Sequence, residues 1–251
     1  MSGPVPESTA TPHAPDATPS GVPAKPTAPR AATSLSAWIF LLLVLGLGLG
    51  LDLGSKYWAF DHVAGQPVVL VRQELLANPD FNPIPPHPGM KALPWGLLDF
   101  QLVINRGAVF GLGENQRFFF IVFTMCALFA GLFVFARFTR ANARLAHIAI
   151  GLILAGGIGN LYDRIIYSVV RDFLHMLPDH RLPFSWNWPN GSPHLFPWVF
   201  NVADMMLLTG MGLLMIHINR VERHRKVVEA TAAKTVDATP VIQPSTDTAA
   251  H

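Results

Sequence analysis

Four stretches of this sequence are apolar over the length of a bilayer, and nothing else in the chain constrains its fold as strongly. They run from about Ser36 to Trp58 ("SAWIFLLLVLGLGLGLDLGSKYW"), Phe118 to Ala136, Leu145 to Ile166 and Trp198 to Ile218. A helix crossing the hydrocarbon core, about 30 Å thick, needs roughly 20 residues. The sequence therefore predicts an all-α membrane protein built on a four-transmembrane-helix bundle, with helices about 36–58, 118–136, 145–166 and 198–218. Charged residues make up only 14% of the chain, against about 25% in an ordinary soluble domain. The net charge of +2 is too small to point to nucleic acid.

Basic residues set the expected orientation. Arg137, Arg140 and Arg144 crowd the link between the second and third spans, Arg220, Arg223, Arg225 and Lys226 follow the fourth, and Lys25 and Arg30 precede the first. By the positive-inside rule these regions and both termini are cytoplasmic, and the segments 59–117 and 167–197 lie on the far side. The first span is long for a signal-peptide h-region and lacks a convincing small-residue cleavage site, so it reads as a retained anchor.

Residues 1–34 and 223–251 are rich in Pro, Ala, Thr and Ser without apolar periodicity, which predicts disordered tails around a membrane domain at 35–222. The outer segment 59–117 is dense in proline at "NPDFNPIPPHPGM" (78–90), which argues against a long helix there. The β-branched runs of "WGLLDFQLVINRGAVF" (95–110) predict a small extracytoplasmic β-rich subdomain. Cys126 is the only cysteine and sits in an apolar run, so it reads as a buried structural thiol.

The polar residues inside these spans all gather at one end. Asp52 and Lys56 lie in the last turns of the first span, four apart and so on one face. Asn160, Asp163 and Arg164 close the third, Asp172 follows it, and Asn201 and Asp204 open the fourth. Asp52 with Lys56, and Asp163 with Arg164, can be read as structural ion pairs. Asp204 has no basic neighbour in sequence, so its partner must come from another segment, although a carboxylate near a helix N-terminus is favoured by the dipole. Gly151, Ala155 and Gly159 give the third span a small-residue face for close helix approach. The Phe-rich second span reads as mainly lipid-facing.

Two converging carboxylates cannot both ionise easily, so they share a proton. One can then activate water while the other polarises a carbonyl. Competing chemistries are poorly served. There is no HExxH, and His175, His180 and His194 show no zinc-like spacing. Ser55 and Lys56 are adjacent, so on a helix they point apart and make a poor nucleophile–base pair.

Four motifs, "DLGSK" (52–56), "NRGAVFG" (105–111), "GGIGNLYDR" (156–164) with "VVRDF" (169–173), and "FNVAD" (200–204), together resemble those of lipoprotein signal peptidase (signal peptidase II), a bacterial inner-membrane aspartic peptidase. The likeness covers roughly residues 36–220. It implies that Asp172 and Asp204 form the catalytic pair. Asn160, Asp163 and Arg164 would be polar support that holds substrate backbone and orients the pair, and Asn201 a neighbouring amide. Asn105 and Gly107 would belong to a loop cradling substrate, and Asp52 with Lys56 would serve integrity more than chemistry. It further implies a site near the outer face of the inner membrane and a diacylglyceryl-modified prolipoprotein substrate cut before its lipidated cysteine. Membrane lipid would be its surroundings, the chain would act as a monomer, and no metal, organic cofactor or nucleic acid would be needed. Two residues depart from the family's pattern. Ser168 stands where glycine is common, and Arg171 stands where an apolar residue is common. On an extended strand Arg171 should point away from Asp172. The stretches 61–95 and 175–198 look longer than usual.

Two other classes fit the composition. An ion- or proton-coupled transporter would carry polar residues near the midplane, often with internal repeats. A non-enzymatic assembly protein would tolerate loss of either aspartate. The one-ended cluster and the absence of a repeat favour the peptidase.

Overall fold

A computed structural model describes residues 28–107 and 117–237. Among them, four helices are long and apolar enough to cross a membrane. These are α1 (Leu35–His62), α3 (Arg117–Phe138), α4 (Arg144–Ile166) and α5 (Val202–Asp237), with a short α2 (Arg72–Ala77) between the first two. Beside them, β1 (Met90–Leu93), β2 (Leu98–Asn105), β3 (Val170–Met176) and β4 (Val199–Phe200) form one antiparallel sheet in the order β1-β2-β3-β4. The expectation of an all-α protein thus describes the bundle and not the chain.

α4 is the hub of the bundle. Two-thirds of its apolar window is buried (67%), against 6% for α3. Its sequence explains the difference. Gly151, Ala155 and Gly159 form the face that meets α1: a Cβ on Gly151 would stand 2.7 Å from Val44, and one on Gly159 would strike the Asp52 carboxylate. Ala155 sits opposite Gly48 of α1. The next face meets α5, where a Cβ on Gly210 would stand 2.7 Å from the Ala149 carbonyl. α3 instead leaves Phe118, Phe123, Phe129 and Phe133 exposed on its surface. Cys126 lies on that exposed helix, which corrects its reading as a buried thiol. An apolar run inside a single-sided span is as compatible with lipid contact as with burial.

Element ends differ from the sequence reading in three places. The fourth long helix begins at Val202 instead of Trp198, because Val199 and Phe200 pair with β3 and Pro197 cannot donate a helical hydrogen bond. It continues to Asp237, through residues assigned to a disordered tail. There the i,i+4 ion pairs Glu222–Lys226 at 2.9 Å and Arg225–Glu229 at 3.2 Å lie along it. At the other terminus Ala31–Thr33 form a 3-10 turn, with Ala31 fully buried. The rest of both expected tails, 1–27 and 238–251, lies outside the described residues, as do positions 108–111 of the motif "NRGAVFG".

The sheet sits over the end of α1. Ala59, Phe60 and Val63 pack with Leu102, Phe173 and Leu174 beneath it. The longer stretch after β3 folds back on itself through Leu182 N to Pro193 O at 2.8 Å and Trp188 Nε1 to His194 O at 2.9 Å.

Candidate active site

α5 starts with a reciprocal cap. The Asp204 backbone N–H donates to Asn201 Oδ1 at 3.1 Å, and Asp204 Oδ2 accepts from the Asn201 N–H at 3.1 Å. This is the capping-box arrangement with aspartate in the glutamate position. The cap uses one Asp204 oxygen. The other, Oδ1, accepts from Asn160 Nδ2 of α4 at 2.9 Å.

Asp172 lies on β3, with Val103 of β2 as its cross-strand partner. Asn201 Nδ2 donates to its Oδ1 at 2.6 Å, and Asn105 Nδ2 at the end of β2 donates to its Oδ2 at 3.0 Å. Asn201 therefore holds both aspartates, one through its cap and one through its amide. Burial first, and the neighbouring charge of Asp204 second, push the Asp172 carboxyl up to about 7, although the two amide donors oppose the shift.

Beneath the pair is a fully buried ionic layer. Lys56 Nζ donates to Asp52 Oδ2 at 2.9 Å and to Asn160 Oδ1 at 3.0 Å, and lies 3.3 Å from Asp163 Oδ2. Asp52 Oδ1 accepts from the Ala203 N–H at 2.9 Å, one of the first-turn donors of α5. The expected Asp52–Lys56 pair is present, but it also fixes Asn160 and the start of α5. Such a layer is tolerable at zero exposure because nearly every lone pair and proton has a partner.

The expected Asp163–Arg164 pair does not form. Asp163 accepts instead from Arg171 Nη2 at 2.8 Å and Nε at 3.1 Å, and from the Arg171 backbone N–H at 3.1 Å. Successive residues on a helix diverge by about 100°, whereas β3 delivers Arg171 to the carboxylate directly. Arg171 points away from Asp172, as strand alternation requires, and its guanidinium lies 4.6 Å from the Tyr167 ring centroid. Sequence reasoning noted this residue as a departure that should point away from Asp172, and missed it as the main partner of Asp163. Arg164 donates to the Asn160 carbonyl at 3.3 Å, lies over Phe120, and bears electrostatically on Asp204 and Asp172.

Gly107 takes φ +103°, and its N–H donates to Asn105 Oδ1 at 2.9 Å, closing a turn that orients the Asn105 amide. A Cβ there would stand 2.9 Å from the Phe120 ring. Ser168, just past the C-cap of α4, is held at φ +71° with its hydroxyl buried and unpartnered. That is the left-handed position that closes helices and favours glycine.

Two hollows lie beside the aspartates, one reaching Asp172 and the other Asp204. One, of about 350 Å³, is lined by Val103, Asn105, Asp172 and Trp198. The other, of about 440 Å³, lies between α3, α4 and α5 and is lined by Phe119, Phe123, Leu128, Asn160 and Asp204.

A family model described as signal peptidase (SPase) II matches residues 44–220. A lipoprotein signal peptidase of Symbiobacterium thermophilum is 36% identical over 137 residues, 55% of this chain and 80% of the relative. One from Methylorubrum extorquens is 37% identical over 130 residues, 49% of this chain and 66% of the relative. A solved bacterial membrane enzyme superposes with a TM-score of 0.49 at 20% identity, over 78% of this chain and 93% of the other.

Proposed function

The chain belongs to the signal peptidase II family, and from that premise we propose that Asp172 and Asp204 are the proton-sharing pair with which it removes signal peptides from prolipoproteins. It is a membrane aspartic peptidase of that type. One observation carries the assignment of the pair: Asn201 hydrogen-bonds both aspartates, at 2.6 Å to Asp172 Oδ1 and through the reciprocal cap to Asp204.

The chemistry follows from sharing one proton. With the Asp172 carboxyl at about 7, the pair carries one proton between them near neutrality, as a property of the pair. The ionised carboxylate takes a proton from water as its oxygen attacks the scissile carbonyl carbon. The protonated partner donates to the carbonyl oxygen, giving a neutral tetrahedral diol. Collapse returns the carbonyl, breaks the C–N bond and passes a proton to the departing amine of the lipidated cysteine. Asn105 and Asn201 keep the Asp172 oxygens oriented, and Asn160 with Lys56 behind it holds Asp204.

The basic links support an orientation in the bacterial inner membrane with both termini and the α3–α4 turn on the cytoplasmic side and the sheet and the pair at the outer face. The four apolar helices are then a transmembrane bundle, and the diacylglyceryl chains of the substrate stay in lipid beside the α3–α5 hollow. One chain supplies every residue of the network, so a monomer suffices. Asp172→Asn and Asp204→Asn should each lower cleavage of a purified diacylated prolipoprotein by about 10²–10⁴-fold, the scale of lost general acid–base help. Both should stay folded and inserted. Full processing by either variant would sink the assignment.

A further inference from the structure

At the end of the bundle opposite the aspartates, three arginines are held together with no ion-pair partner among the described residues. The residues before α1 run antiparallel to the link between α3 and α4, through Ala31 N to Thr139 O at 2.9 Å and Ala141 N to Pro29 O at 2.8 Å. This ribbon sets Arg30 directly opposite Arg140. Like charges facing one another across a bridge are destabilising. Arg144 follows at the start of α4. None of the three forms an ion pair among the described residues, and no Asp or Glu occurs in 28–51 or 117–162.

The same ribbon walls a cavity of about 480 Å³. Its polar lining is Ser36, Asn142, Arg144 and His147, and its apolar side is Ala37 and Phe40. His147 is 1% exposed, and its Nε2 is bound to the Arg140 carbonyl at 3.1 Å. On the same end of α1 and α3, Leu35, Ile39, Leu43 and Phe138 are exposed and apolar. A polar hollow with Arg144 in its lining and Arg30 and Arg140 on the ribbon that walls it, beside exposed apolar helix surface, matches a headgroup joined to acyl chains. Arginines that only set topology need to be in the link; they need not face each other in register on a ribbon beside a cavity.

We propose that this end of the bundle is a binding site for an anionic glycerophospholipid. Its phosphate is bound by Arg144 with Arg30 and Arg140, its glycerol end lies against Ser36 and Asn142, and its chains lie along the exposed face of α1. The proposal rests on the membrane-spanning reading of the helices and not on the aspartate chemistry.

Native mass spectrometry of the full chain in neutral detergent tests it, with phosphatidylglycerol and phosphatidylcholine as probes. The wild type should retain phosphatidylglycerol in preference to phosphatidylcholine. Replacing Arg30, Arg140 and Arg144 by Gln should weaken that retention by about fivefold per arginine, the scale for a basic residue at an anionic surface. Lys at the same positions should preserve most of it, and R223Q/R225Q on α5 should change nothing. Equal retention of the two lipids, unchanged retention in the glutamine variant, equal loss in the α5 variant or displacement by excess inorganic phosphate would each overturn it. If the glutamine variant fails to fold, the lipid preference of the wild type and the behaviour of the lysine variant decide. Binding is read without cleavage, so failure here and failure of the peptidase assignment are separate results.

Discussion

Asp204 does two jobs with one carboxylate. One oxygen closes the cap of α5 and the other is held by Asn160, so its position is set by secondary structure as well as by the site. Asp172 has no such structural duty, and its burial is the more costly. Its carboxyl sits at about 7, against an ordinary value of 3.8. Between those values the folded chain keeps a proton that the unfolded chain has lost. The group's favourable contribution is therefore complete below pH 3.8 and disappears as pH rises through about 7. Asp172→Asn cannot ionise, so its melting temperature should gain on that of the wild type from pH 4 to pH 8; parallel curves would contradict the burial account. Ser168 presents a simpler strain, a side chain at φ +71° with an orphan hydroxyl. Ser168→Gly should stabilise by about 1 kcal/mol, the usual cost of a non-glycine residue in that region. A lower melting temperature for that variant would show that the hydroxyl has a partner in solution. The sequence marked Ser168 as unusual but could not say why; the reason is its place one residue beyond the C-cap of α4.

Among the elements, α4 and β3 define the site. α4 carries small residues on two faces, which lets α1 and α5 approach closely enough for Asp52, Lys56, Asn160 and Asp163 to meet at zero or near-zero exposure. β3 is fixed to α4 by the Arg171 fork on Asp163, and that fork sets where the neighbouring Asp172 stands. Arg171→Met should cost about 3 kcal/mol, the lower end for breaking a buried pair, because Lys56 still answers Asp163. Thermal unfolding in detergent measures this, and an unchanged midpoint would mean the fork adds nothing to stability. Helix existence was legible from apolar length alone. Helix ends were less so: α5 starts at its cap and not at the first apolar residue, and pairing with β3 claims Val199 and Phe200 first.

At the scale of the molecule, the chain has a carboxylate end beneath the sheet and, at the other end, three arginines with no ion-pair partner among the described residues, joined by four apolar helices. α5 extends well past the length a bilayer needs: its 36 residues would run about 54 Å as a helix. Residues beyond Glu222 contribute nothing to the network around the aspartates. A chain ending after Arg225 should therefore insert and cleave a diacylated prolipoprotein at the full-length rate. A loss of turnover with normal insertion would assign that extension a part in activity.

The sequence alone determined the spans, the one-sided gathering of polar residues and the aspartates that stand out from their surroundings. Hydropathy and helical periodicity are local, and they can be read from neighbours in the chain. Partnership was decided by the tertiary structure. Asp163 could have paired with Arg164 beside it, but it pairs with Arg171 on another element. Asp52 and Lys56 could have closed on each other, but they also hold Asn160 and the first turn of α5. Asn201, which the sequence set beside Asp204 alone, is the residue that joins the two carboxylates. A side chain's partner is fixed by which segments approach through space. In this protein that approach depends on small residues packing helices together and on a strand returning over the end of the bundle.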